Sequence, residues 1–114
     1  MITLWHNPRC SKSRQALALL QDAGAQVEIR KYLEEPPGLA ELHAVRVALG
    51  SPPVIDMIRS GEKLFEELGL ARDTPEDILL GAMVSHPILI ERPIALSVGK
   101  AVIGRPPELV KTLL

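Results

Sequence analysis

Apolar side chains recur along this chain with two different periods, and the changes between them mark out its elements. Ile2 to Trp5 is a short, β-favouring apolar run closed by Asn7-Pro8, the pattern of a buried strand. From Ser11 onward, Ala16, Leu19, Leu20 and Ala23 recur at helical spacing, and Gly24 stands where a glycine ends a helix. Val27 to Leu33 alternates Val27, Ile29 and Lys31 with Glu28 and Arg30, which predicts a second strand running up to the break at Glu35-Pro36-Pro37-Gly38. Strand, helix and strand in this order form a βαβ unit, whose strands run parallel.

The pattern then becomes helical throughout. Leu39 to Leu49 reads as a helix stopped by Gly50, and Ser51-Pro52-Pro53 reads as the cap and first turn of another. Thr74-Pro75-Glu76-Asp77, with an acidic residue three positions after the threonine, predicts a capped helix start leading through Ile78 to Ser85, and His86-Pro87 closes it. Further on, Ile94 to Ser97 and Lys100 to Ile103 flank Val98-Gly99, a hairpin signal, and Pro106-Pro107 opens a last helix through Leu113. The order βαβ, helices, ββα is that of an α/β, thioredoxin-like domain. Its core, a mixed four-stranded sheet flanked by helices, is expected over 1–34 and 88–114, with an inserted helical lobe over 38–86.

Composition narrows the function. A length of 114 residues suits one domain, and 46% apolar with 24% charged residues fits a folded globular chain rather than disorder or a membrane span. Aromatic residues make up only 3%, so the stacking platforms of single-strand nucleic-acid binders are missing, and a net charge of −1 offers nucleic acid no general attraction. Any anion site is therefore local. A single cysteine cannot form an internal disulfide, and the first residues lack the basic start and apolar centre of a secretory signal, so a cytoplasmic setting is expected. His6, His43 and His86 are scattered, and no spacing suggests a metal site or a bound cofactor.

The one cysteine lies in HNPRCSKSR, between the first strand and the first helix. Unpaired N–H groups and the positive end of the helix dipole favour a thiolate there, and Ser11, Ser13, Lys12 and Arg14 add hydroxyl donors and positive charge. The same N–H groups suit an oxyanion. A buried cysteine is commonly only a small apolar filler, but these polar, basic flanks argue for chemistry. Position 13 is Ser, so Cys10 has no resolving partner three residues on, and position 16 is Ala where a cysteine phosphatase would carry arginine. What remains is a thiol that attacks an oxyanion or takes a mixed disulfide and is regenerated by an outside thiol.

With HNPRCSKSR, the segments LEEPPGLAEL, VIDMIRSGEKLFEELGL, HPILIERPI and IGRPPELV follow in an order that resembles the glutaredoxin-coupled arsenate reductases over nearly the whole chain. The resemblance implies reduction of arsenate to arsenite with Cys10 as nucleophile, glutathione as co-substrate and glutaredoxin as partner. It implies Arg59, Arg92 and Arg105 as the anion-binding arginines, matching the forked donors and permanent charge that a tetrahedral oxyanion needs. It also implies supporting roles for His6, Ser13 (as a hydroxyl donor to the thiolate) and Arg14, and a cis peptide before Pro93. Arg30, Arg46 and Arg72 read as solvated surface charges. A monomer is expected, with no nucleic-acid or membrane partner. Two alternatives stay open: a thiol protein acting on glutathionylated or other oxyanion substrates, and a transcriptional regulator resembling the Spx type, whose Cys-x-x-Cys switch Ser13 interrupts.

Overall fold

The structure is a computed structural model that describes residues 1–114. Four strands form one mixed sheet: β1 (Ile2–Trp5), β2 (Val27–Arg30), β3 (Ile94–Ser97) and β4 (Lys100–Ile103), in the order β2-β1-β3-β4. β1 runs parallel to β2 with Ile2 opposite Val27, and antiparallel to β3 with Leu4 opposite Ala95; β3 and β4 form a hairpin. The four α-helices are α1 (Ser11–Asp22), α2 (Leu39–Ala48), α3 (Lys63–Glu67) and α4 (Glu76–Ser85). None of these is long and apolar enough to cross a membrane.

Strand alternation divides the interior into two cores. Ile2, Leu4 and Ala95 point to one face, where they meet Ala16 and Leu20 of α1 and Val110 of the last turn. Trp5 and Ile94 point to the other face and join Leu42 and Val45 of α2, Leu79, Leu80 and Met83 of α4, and the segment around Met57. Burying a side chain such as Leu20 is worth roughly 1.5–3 kcal/mol, so both faces of this short sheet are held by what packs over them. The buried stripe of α1 is Ser13, Ala16 and Leu20. That stripe turns a serine inward at the end nearest Cys10.

Several boundaries differ from the sequence pattern, most for a local reason. β2 stops at Arg30 rather than reaching Leu33, because the Arg30 guanidinium donates to the Glu35 carbonyl at 3.0 and 3.1 Å and folds the chain back. Tyr32 thereby swings into the larger core. Ser51 does not cap a helix: it sits at φ +55, and only a 3-10 turn follows at Val54–Met57, with the Asp56 N–H donating to the Pro53 carbonyl at 2.9 Å. Thr74 does not cap α4 either, since its hydroxyl accepts the Ala71 N–H at 2.8 Å. Instead Glu76 in the first turn of α4 accepts the Val54 N–H at 3.0 Å and pairs with Arg46. The final element, Pro107–Leu113, is a 3-10 helix rather than an α-helix; its opening prolines, at the N-cap and first helical positions, are compatible with either form.

Arg30 and Arg46 are not free surface charges. Arg30 pairs with Glu41 at 2.6 Å and lies 5.6 Å from the Trp5 ring centroid, and Arg46 pairs with Glu76 at 3.2 Å. Both ion pairs tie α2 to its neighbours.

Candidate active site

The cysteine loop is built from its own backbone and one side chain. Asn7 Oδ1 accepts the Arg9 N–H at 3.0 Å, the Cys10 N–H donates to the Asn7 carbonyl at 3.0 Å, and the Arg14 N–H donates to the Cys10 carbonyl at 3.0 Å. An asparagine that mimics a backbone turn and a proline that fixes φ make this a rigid entry to α1. Cys10 is the N-cap residue, extended at φ −93 and ψ 122, and is buried. Its neutral thiol makes no capping hydrogen bond, yet the N–H groups of Ser13 and Lys12 face the sulfur and favour its ionised form.

Burial alone pushes the Cys10 pKa up. The Ser13 N–H, the Arg92 charge, the Lys12 N–H and a hydrogen bond from Arg92 together outweigh it, so the thiol ionises below the ordinary value. The cation that acts on the sulfur is therefore Arg92 rather than Lys12 or Arg14. Arg14 instead donates to the Pro8 carbonyl at 2.9 Å and braces the loop.

The Ser13 side chain also differs from the role its position suggested. It is fully buried, its Oγ lies 2.6 Å from His6 Nδ1, and it accepts the Asn7 N–H at 3.1 Å. The residue serves the sulfur through its N–H and the loop through its hydroxyl. His6 is buried as well; burial, with the charges of Lys31 and Arg14, pushes its pKa down and favours the neutral ring. Its place is structural, joining the end of β1 to the start of α1.

Arg59, Arg92 and Arg105 come from three separate parts of the chain and line one cavity of about 300 Å³, together with Ser60, Gly61, Glu62 and Glu91. Arg59 follows the short bridge between Ile58 and Ile90; its N–H donates to the Leu89 carbonyl at 2.7 Å and its guanidinium to the Ile88 carbonyl at 3.3 Å. Arg92 and Arg105 each precede a proline through a cis peptide, Arg92-Pro93 and Arg105-Pro106. Arg105 Nε donates to the Arg92 carbonyl at 2.9 Å, so one arginine holds the backbone of the other. Close packing locks this corner: a Cβ on Gly104 would sit 2.8 Å from Pro93 Cγ and 3.0 Å from Val110 Cγ1.

Glu62 and Glu91 were not singled out by the sequence pattern. Glu62 pairs with Arg59 at 3.0 Å, and Glu91 with Arg105 at 3.1 Å and Arg92 at 3.4 Å. Three cations against two carboxylates leave the cavity positive by one charge, and the pairs hold the guanidinium groups apart in fixed directions. Cys10 lies outside the cavity lining, and Arg92 links the two. No group of three His, Cys, Asp or Glu side chains is placed to hold a metal ion.

A depressed thiol at the head of a helix, beside a positive cavity and on a mixed βαβ-ββ sheet, defines a thioredoxin-like protein with one reactive cysteine. Comparison with known proteins narrows the class. The ArsC family model matches residues 5–113, and the chain belongs to the ArsC family. It is 47% identical to an arsenate reductase of Neisseria meningitidis, covering 99% of this chain and 97% of that one. It is 46% identical to YfgD of Escherichia coli K12, an uncharacterized protein, covering 96% and 92% respectively. The solved structure of an arsenate reductase from Vibrio cholerae superposes with a TM-score of 0.94 at 45% identity, covering 99% of this chain and 97% of that one.

Proposed function

We propose that this protein reduces arsenate to arsenite through a covalent adduct on Cys10, with glutathione as reductant and glutaredoxin as the partner that restores the thiol. The observation that carries the reading is the link through Arg92, which couples a thiol of lowered pKa to a cavity lined by three arginines. Relatives named arsenate reductase at 47% identity over nearly the full chain support it.

In the first step, the Cys10 sulfur attacks arsenic, an S–As bond forms and an As–O bond breaks, with a hydroxyl of arsenate leaving as water after taking a proton from solvent. Arg59, Arg92 and Arg105 neutralise the remaining oxygens, with donors fixed before the substrate arrives. Glutathione thiolate then attacks the Cys10 sulfur. The S–As electron pair passes to arsenic, which becomes trivalent and leaves as arsenite, and a Cys10–glutathione disulfide remains. A glutaredoxin thiol takes the glutathionyl group and frees Cys10. The outside thiol is needed because the chain has no second cysteine.

The thioredoxin-like core, over 1–34 and 88–114, supplies Cys10, Arg92 and Arg105, and the helical insert over 38–86 supplies Arg59. One copy of the chain thus carries every named group, which supports a monomer as the working unit. A glutathione-dependent reaction fits a reducing cytoplasm.

The test is arsenate-dependent NADPH oxidation coupled through glutathione, glutaredoxin and glutathione reductase. Wild type is expected to turn over and Cys10→Ser to be inactive while folded. Wild type that removes glutathione from a mixed disulfide but leaves arsenate untouched would move the function to thiol exchange.

A further inference from the structure

Tyr32 is unused in the chemistry above, yet the charged groups of the site act on its hydroxyl. Only 1% of the residue is exposed; its ring stacks on Trp5 with centroids 6.4 Å apart and packs in the larger core. The hydroxyl has no hydrogen-bond partner. A buried hydroxyl without a partner is destabilising, so for packing alone a phenylalanine would serve better.

The surroundings of the hydroxyl say where a partner would come from. The groups whose charges act on it are Arg92, Arg59, Cys10 and Glu91, that is, the thiol and three of the residues lining the arginine cavity. One other buried side-chain polar atom also lacks a partner, and it is Arg92 Nε. Two orphaned buried donors thus share one electrostatic neighbourhood, Arg92 lining the cavity and Tyr32 lying behind that lining in the larger core. The sulfur's own donors are the Ser13 and Lys12 N–H groups and Arg92, with Tyr32 not among them, so the bare sulfur is not the acceptor awaited.

We propose that Tyr32 is a substrate-contacting residue, whose hydroxyl donates a hydrogen bond to an oxygen of the oxyanion held between Cys10 and Arg92. This rests on the reading of the site as an oxyanion site. Burial pushes the Tyr32 pKa up to about 12 against the opposing pull of Arg92 and Arg59, so the phenol keeps its proton and can donate throughout the neutral range.

The test is Tyr32→Phe, which keeps the ring and its stacking. Arsenate should protect Cys10 from alkylation by iodoacetamide. In Y32F the half-protecting arsenate concentration is expected to rise about 10- to 100-fold, the range for losing a hydrogen bond to a charged group. The alkylation rate without arsenate should stay unchanged, and the melting temperature should hold or rise. Equal half-protection in variant and wild type would overturn the proposal and leave the oxyanion site standing. A Y32F that melts lower and alters alkylation without arsenate would overturn it in favour of a packing role. If arsenate fails to protect wild type, the oxyanion reading falls and the proposal with it.

Discussion

Gly104→Ala tests how tightly the fold controls the arginines. The added methyl would lie 2.8 Å from Pro93 Cγ and 3.0 Å from Val110 Cγ1. Neither neighbour yields easily: one is a ring carbon of a buried proline and the other belongs to a fully buried valine. Overpacking of this kind costs about 1–3 kcal/mol, offset by about 0.4–1 kcal/mol because alanine narrows the unfolded ensemble. Taken at their midpoints, those two terms leave a net loss of about 1.3 kcal/mol. With about 2.1 cal/mol/K of unfolding entropy per residue over 114 residues, the melting temperature should fall by about 5 °C. The Gly104 N–H also donates to the Pro93 carbonyl at 2.8 Å, and Arg105 Nε to the Arg92 carbonyl at 2.9 Å, so the shift carries into the cavity and arsenate KM should rise. Thermal melts and the coupled assay on the same preparation read both effects. A variant that melts at or above the wild-type temperature, with unchanged KM, would refute the idea that this corner is packed against Pro93.

Ser13→Ala leaves His6 Nδ1 and the Asn7 N–H without their buried partner and should cost about 1–3 kcal/mol in urea unfolding; because the Ser13 N–H is retained, Cys10 should stay reactive in the folded variant. Arg105→Gln removes a guanidinium that lines the cavity but is not among the groups acting on the thiol. It should raise arsenate KM by about 10-fold or more, as expected for a lost charge-assisted hydrogen bond, while iodoacetamide alkylation of Cys10 without arsenate proceeds at the wild-type rate.

Regular periodicity made much of the architecture legible. The run from Ile2 to Trp5, the helix stopping before Gly24 and the hairpin around Val98-Gly99 all lie where the pattern placed them, and Gly24 and Gly99 have the positive φ their turns require. Capping motifs were less informative, because a hydroxyl beside proline has other donors within reach. Thr74 bonds back to Ala71, and Ser51 takes a left-handed turn after Gly50. The short bridge between Ile58 and Ile90, which positions Arg59 beside Leu89, leaves no periodic trace at all.

At the site, the cysteine loop was visible as a local motif and the arginines through the family resemblance, and their convergence depends on tertiary structure. Glu62 and Glu91 look like ordinary surface acids until their pairing with Arg59, Arg92 and Arg105 is seen. Tyr32 was hidden by a strand pattern that runs past Arg30. One signal could have found it: a lone tyrosine in a chain with 3% aromatics, two residues past a strand parallel to the one that leads into Cys10.

The thiol's ionisation tests the central claim most directly, through the pH dependence of Cys10 alkylation in wild type and in Arg92→Gln. The account predicts a wild-type midpoint below that of free cysteine, and an upward shift in the variant, where burial still opposes ionisation but the nearby cation is gone. A wild-type midpoint at or above free cysteine, or one that the loss of Arg92 leaves unmoved, would contradict it.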